Sequence, residues 1–324
     1  MNRGEALADG WNRARSRPGL GDPAAAPGGH PPPCRKPAAC QSARAVDKPA
    51  APDYPCAMAS HAPIGILDSG VGGWSVLGEI RALLPNESLI YIGDSAWCPY
   101  GARPADQIQQ RVFQLTDRLI GWGVKLVVLA CNSATIAAVE ALRATYPIPF
   151  AGMEPAVKPA AAASRSGVVG VLATEASLAG EKFHRLIHDH AGGVRVITVP
   201  CPGLVELVER GELSGDRAAG VVNGYVAPLV DAGADVLVLG CTHYPFLRKL
   251  IEAAAGPAVT VIDTGAAVAR RVRQLLERDD LLASGSDDAR LRVLTTGPEE
   301  QLRQLWPRLW AQSADDAELG RLEE

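Results

Sequence analysis

The chain has 324 residues, 47% hydrophobic and 21% charged, with a formal net charge of −4. At roughly 150 residues per domain that predicts two domains with buried cores. The acidic balance argues against nucleic-acid binding, and no apolar run reaches the 18 residues of a membrane span. Seven cysteines are spread over a long chain, which predicts free thiols in a reducing, cytoplasmic setting rather than a disulfide scaffold.

Residues 1–60 carry 8 basic and 5 acidic side chains and 10 of the 25 prolines. No apolar periodicity runs through them, so residues 1–61 are expected to be a disordered Pro/Ala/Arg-rich extension. Met58 lies just before the first strand-like run and offers an alternative start. From residue 64 onward, short apolar runs alternate with helical stretches. Strands are predicted at 64–68, 89–93, 125–130, 168–172, 194–199, 235–239 and 259–263. Helices are predicted at 74–84, 104–122, 134–145, 178–190, through 232, and at 246–254. A polar break at 284–288 precedes a strand at 291–295 and a helix at 299–310. This alternation predicts an α/β protein of βαβ units, with doubly wound parallel sheets.

An internal repeat sharpens the prediction. Gly-Val-Lys-Leu-Val-Val-Leu-Ala-Cys-Asn-Ser ends at residues 131–133, and Gly-Ala-Asp-Val-Leu-Val-Leu-Gly-Cys-Thr-His ends at 241–243. Ile-Gly-Ile-Leu-Asp-Ser (64–69) likewise parallels Val-Gly-Val-Leu-Ala-Thr (169–174). A repeat of this size predicts two similar α/β domains related by a pseudo-twofold. Ligands of open α/β sheets bind beyond the carboxyl ends of the strands. Cys131 and Cys241 both fall there, so two facing domains would put one thiol on each wall of a shared cleft.

A lone cysteine is usually a small buried hydrophobe. Two at equivalent ends of repeated strands point to chemistry. There is no Cys-x-x-Cys, and only His243 offers a nearby metal ligand, so no metal is expected. Two-base proton transfer uses both thiols: one removes a proton from a carbon, the other supplies one to the opposite face. Asp68 is a candidate partner for Cys131, and His243 for Cys241. The loop 68–73 has glycines that let backbone amides approach a carboxylate at a helix start. Asn132, Ser133, Thr174, Ser177 and Thr242 offer short hydrogen-bonding side chains suited to a small zwitterion, although helix capping would explain each one equally well. Cys98 is expected near enough to the pocket to be an oxidation liability. Two rivals remain at this point: a Cys–His hydrolase using Cys241 and His243, and a solute-binding or regulatory two-domain module whose cysteines are core residues.

The motifs at 64–73, 99–101 (Pro-Tyr-Gly), 130–133, 154–160 (Glu-Pro-Ala-Val-Lys-Pro-Ala), 240–245 (Gly-Cys-Thr-His-Tyr-Pro) and 295–297 resemble glutamate racemase, in the aspartate/glutamate racemase superfamily. The resemblance covers about residues 62–300. It implies cofactor-independent interconversion of L- and D-glutamate, feeding peptidoglycan synthesis. It implies Cys131 and Cys241 as the acid/base pair, assisted by Asp68, His243 and Glu209. It also implies substrate contacts at Ser69, Tyr100, Gly101, Asn132, Ser133, Thr174, Ser177 and Thr242. Glu206 falls where many relatives have proline, so the glutamate role goes to Glu209. Related aspartate racemases tend to Cys-Thr-Glu at the second motif, so Cys-Thr-His favours glutamate. The implied domains are 62–157 plus 266–312, and 158–265, with 313–324 a polar tail. The expected partner is the small-molecule substrate, with a homodimer left open and no nucleic acid or membrane.

Overall fold

The computed structural model describes residues 60–285, 289–310 and 317–323, all within the unit Pro55–Glu324. The extension up to residue 59, Met58, residues 286–288 of the polar break and residues 313–316 of the tail lie outside the described residues.

The first sheet grows from β1 (Ile64–Asp68), whose five residues are all buried. A strand that is apolar on both faces belongs in the middle of a parallel sheet covered by helices on each side. β1 pairs in parallel with β2 (Leu89–Gly93) on one side and β3 (Leu126–Leu129) on the other. β4 (Phe150–Ala151) extends the sheet beyond β3. The second sheet has β5 (Val168–Ala173) flanked by β6 (Arg195–Pro200) and β7 (Val236–Leu239), with β8 (Thr260–Ile262) outside β7. The orders β2-β1-β3-β4 and β6-β5-β7-β8 are the same, so the sequence repeat is a repeat of topology.

The matching extends to a single position. A Cβ added at Gly65 in β1 would lie 3.1 Å from Leu119, and one at Gly170 in β5 would lie 2.8 Å from Leu229. Leu119 belongs to α2 (Ala105–Gly121) and Leu229 to α8 (Asp216–Asp231). In each half a glycine lets the covering helix close on the central strand.

After the second sheet the chain returns to the first. α10 (Gly265–Arg278) packs on α1 (Trp74–Leu83), and β9 (Leu291–Thr295) pairs with β2. The sequence reading passes over α10, although its buried positions Val268, Ala269, Val272, Leu275 and Leu276 follow the helical period. α11 (Glu299–Leu309) seals this face with aromatic rings. Trp306 meets Trp74 edge-on at 4.9 Å and stacks on Trp310 at 4.6 Å.

Other expectations need correcting. The polar tail contains a strand: Ala317–Arg321 forms β10, parallel to β9 at the sheet edge. Its partly exposed residues carry no apolar run, because an edge strand buries little. The helix expected at 178–190 is two, α5 (Glu175–Ala179) and α6 (Glu181–His190), separated by extended Gly180. The stretch ending at 232 is likewise two helices, α7 (Leu204–Glu209) and α8, parted by Gly211 and Gly215 at positive φ. α3 spans Asn132–Thr145, and α4 (Val157–Ala163) links the two sheets. Among the described residues no helix is long and apolar enough to cross a membrane.

Candidate active site

Most groups of interest stand at or just beyond the carboxyl end of a strand; Glu209 is the exception, at the end of α7. Asp68 ends β1, and the turn Ser69–Gly73 leads into α1. Tyr100 and Gly101 lie in a single 3₁₀ turn after β2. Cys131 follows β3 and caps α3 in extended conformation, which places Asn132 and Ser133 in the first helical turn. Thr174 caps α5, accepting from the Ser177 amide at 3.3 Å. Cys241, Thr242 and His243 form the turn after β7.

These segments enclose one cavity of about 10 Å³, the room of a single water-sized sphere. Eleven of the thirteen predicted residues line it: Ser69, Tyr100, Gly101, Cys131, Asn132, Ser133, Thr174, Ser177, Cys241, Thr242 and His243. The thiols come from equivalent strands of the two sheets. Pro99, Val205 and Gly240 complete the wall. Val205 was missed because one valine in an apolar helix carries no signal.

Hydrogen bonds close the cavity from both sides. Ser133 Oγ lies 3.1 Å from Thr174 Oγ1 and 3.4 Å from Ser177 Oγ. Asn132 Nδ2 donates to the Gly240 carbonyl at 2.9 Å. Ser75 Oγ donates to the Thr242 carbonyl at 2.9 Å.

Asp68 and Glu209 stand one layer behind the wall. Asp68 is fully buried and accepts from the Gly70 amide at 2.9 Å and from Thr242 Oγ1 at 3.1 Å. Burial pushes its pKa up to about 6, against the pull of His243. Burial also pushes the Cys131 thiol up to about 12, with the Asp68 carboxylate adding to the rise. The Asp68 carboxylate thus reaches the Cys131 thiol through its charge, while Ser69 Oγ sits 3.9 Å from the sulfur. Glu209 Oε1 accepts from the Val71 amide at 2.8 Å and lies 2.7 Å from His243 Nε2. His243 Nδ1 is 3.7 Å from Cys241 Sγ. Burial alone would lower the imidazole's pKa; its contacts with Cys241, Cys98 and Glu209 outweigh that and raise it well above the usual value. The two thiols thus differ: one is a buried neutral acid, and the other faces an imidazole that links it to a carboxylate.

Cys98 is near this network, as expected, with its sulfur 3.5 Å from Glu209 Oε1. Its oxidation liability is not supported. Burial pushes the thiol up to about 12, and oxidants attack the thiolate.

A supporting network escaped the sequence reading. Asp94 is fully buried just beyond β2. It accepts from Arg111 at 2.8 and 2.9 Å, from Tyr100 Oη at 2.6 Å and from Thr296 Oγ1 at 2.7 Å. Only the long-range fold assembles these partners. Asp94 fixes the Tyr100–Gly101 turn that forms part of the cavity wall. Asp94→Asn should therefore lower kcat/KM by about tenfold through misplacement of that turn, measured by steady-state turnover. An unchanged value would show that the turn is held by other contacts.

The comparisons agree with this architecture. The model of the Asp/Glu/Hydantoin racemase family matches residues 75–272. A glutamate racemase of Pseudomonas putida (strain KT2440) is 54% identical over 255 residues, covering 78% of this chain and 96% of its own. The crystal structure of Escherichia coli glutamate racemase, in complex with L-glutamate and the activator UDP-MurNAc-ala, superposes with a TM-score of 0.71. It is 32% identical and covers 81% of this chain and 98% of its own. The Francisella tularensis glutamate racemase, in complex with D-glutamate, gives 0.70 at 28% identity, covering 80% and 97%. The two-sheet α/β fold is that of the glutamate racemases it superposes on, and the protein is an amino-acid racemase, an isomerase. The chain belongs to the Asp/Glu/hydantoin racemase family, among the glutamate racemases.

Proposed function

We propose that this protein interconverts L- and D-glutamate without a cofactor, by two-thiol proton transfer at Cα, and supplies D-glutamate for peptidoglycan synthesis in the cytoplasm. The observation that carries the reading is that Cys131 and Cys241, from equivalent strands of different sheets, line one cavity. The sheets are proposed as cores of two domains, 62–157 plus 266–312 with β10 added, and 158–265.

Inversion needs a base on one face of Cα and an acid on the other. In the proposed mechanism Cys131 enters as a protonated thiol beside Asp68, its proton acceptor and donor. Cys241 exchanges its proton with the His243 imidazole, which cycles between neutral and charged forms while Glu209 orients the ring and stabilises the charged one. Ser69, Asn132, Ser133, Thr174, Ser177, Thr242 and the Tyr100–Gly101 turn hold the substrate's carboxylates and ammonium. The cavity is too small for an amino acid, so the walls part to admit substrate and close to exclude water around the developing carbanion. The fixed hydroxyls and amides supply the charge stabilisation that a metal or cofactor gives elsewhere.

Incubation of L-glutamate in deuterated water tests the reading. The first D-glutamate formed should carry deuterium at Cα, while recovered L-glutamate keeps its original hydrogen. Equal early labelling of both enantiomers would mean that one group serves both faces. A Cys–His hydrolase would give no D-glutamate at all, and a binding module would bind glutamate without turnover.

A further inference from the structure

Behind His243, on the side away from Cys241, three metal-ligating side chains converge. Cys98, Glu209 and His243 each bring one ligand atom, all within 4.8 Å of one another. They arrive from distant parts of the chain: the residue before Pro99, the last residue of α7, and the turn after β7. Glu209 Oε1 lies 2.7 Å from His243 Nε2 and 3.5 Å from Cys98 Sγ. The floor of the cluster is bare backbone. A Cβ at Gly70 would lie 1.9 Å from Glu209 Oε1 and 3.0 Å from Cys98 Sγ, so only glycine leaves these atoms their room. Glu209 is further pinned by the Val71 amide and by Gln301 Nε2, which donates to its carbonyl at 3.1 Å. α11 thus fixes the backbone that presents the carboxylate.

Thiol, imidazole and carboxylate form the donor set that Zn²⁺ prefers, with three protein ligands and an open fourth position for water. Bond lengths of about 2.0–2.3 Å put neighbouring ligand atoms of a tetrahedral site roughly 3.4 Å apart. The sulfur–carboxylate edge already has that length. The imidazole–carboxylate edge is at hydrogen-bond length and opens by several tenths of an ångström once the proton between the two atoms has left.

We propose that Cys98, Glu209 and His243 form a Zn²⁺ site whose occupation switches the racemase off. On binding, the Cys98 thiol proton and the proton shared by His243 and Glu209 pass to solvent, three coordinate bonds form, and no electron moves. The metal takes the ring nitrogen that Glu209 otherwise holds. His243 can then no longer pass a proton between Cys241 and Glu209. Metal binding stands on the cluster geometry alone, whereas the loss of activity rests on the function proposed above.

The test uses the full chain, reduced and freed of metal with EDTA, and titrated with Zn²⁺ or with Co²⁺ as a coloured probe. The expected results are one Zn²⁺ per chain, a cobalt–thiolate absorption band, and a fall in racemisation of at least tenfold that EDTA reverses. Cys98→Ser keeps a hydrogen-bonding group beside Glu209, and its own metal-free rate is the reference for its inhibition. It should lose the cobalt–thiolate band, bind Zn²⁺ at least tenfold more weakly and escape inhibition. Cys131→Ser and Cys241→Ser should keep the band. Absence of the band from the wild type, or its persistence in Cys98→Ser, overturns the site. A bound metal that leaves activity unchanged overturns the switch. A metal-free enzyme that does not racemise glutamate would overturn the proposed function instead, with the band still reading the site.

Discussion

Cys131→Ser and Cys241→Ser should each lower racemisation of glutamate by about 10³-fold, the contribution of a well-placed general acid or base, while leaving the protein folded. A serine hydroxyl has nearly the thiol's shape but neither ionises nor accepts a carbon-bound proton at neutral pH. Both sites are buried, with Cys131 beside Ser69 and Cys241 beside His243, so a hydroxyl finds a partner and the penalty for burying it stays small. The two variants should differ in stereochemistry. Each keeps one thiol, which can remove and return a proton on its own face only. In deuterated water, each variant should therefore exchange the Cα hydrogen of a single enantiomer, and the two variants should choose opposite ones. The double variant should do neither. Retention of more than a tenth of the activity by either single variant would contradict the assignment, as would exchange of the same enantiomer by both.

The cysteines were legible because topology repeats locally: each follows an apolar strand that opens with a glycine after a helix. The parallel sheets were legible for the same reason, since a strand buried on both faces must be a continuous apolar run. What failed to show was assembled over distance. Asp94 collects Arg111, Tyr100 and Thr296 from three segments, and nothing about its neighbours in sequence marks it. Glu209 looks like a solvated helix charge until α7 turns it onto His243, and only the family resemblance pointed to it. β10 is legible only as a partner of β9, because Ala-Glu-Leu-Gly-Arg has no face of its own to bury. The break between α5 and α6 depends on the approach of Ile136, whose side chain lies 2.6 Å from where a Gly180 Cβ would stand.

Asp68→Asn should expose a conflict between stability and activity. The wild-type carboxyl is buried and raised from 3.8 to about 6, a displacement corresponding to roughly 3 kcal/mol. Because the folded-state value is the higher one, the favourable contribution is complete below about pH 4 and is lost as pH rises through 6. Above that pH the folded protein carries the burden of a desolvated carboxylate. Asparagine stays neutral and removes the burden, but its single carbonyl oxygen cannot accept from both the Gly70 amide and Thr242 Oγ1, a loss of about 1 kcal/mol. The variant should be more stable than wild type by about 1–2 kcal/mol at pH 8 and no more stable at pH 4, read from denaturant unfolding at each pH. Its activity should move the other way. On the proposed mechanism an ionised Asp68 is the group that takes the Cys131 proton, so wild-type kcat/KM should fall about tenfold per pH unit below about 6, because this ratio reports the free enzyme. Asp68→Asn should lower kcat/KM at pH 8 by on the order of 10²-fold and should lack that acid limb. A variant that keeps the limb near pH 6 would move the titrating group elsewhere. One that gains no stability at pH 8 would show that the carboxylate is solvated better than its burial implies. A residue whose charge burdens the fold at the working pH and is still needed for turnover is held there by function, not by packing.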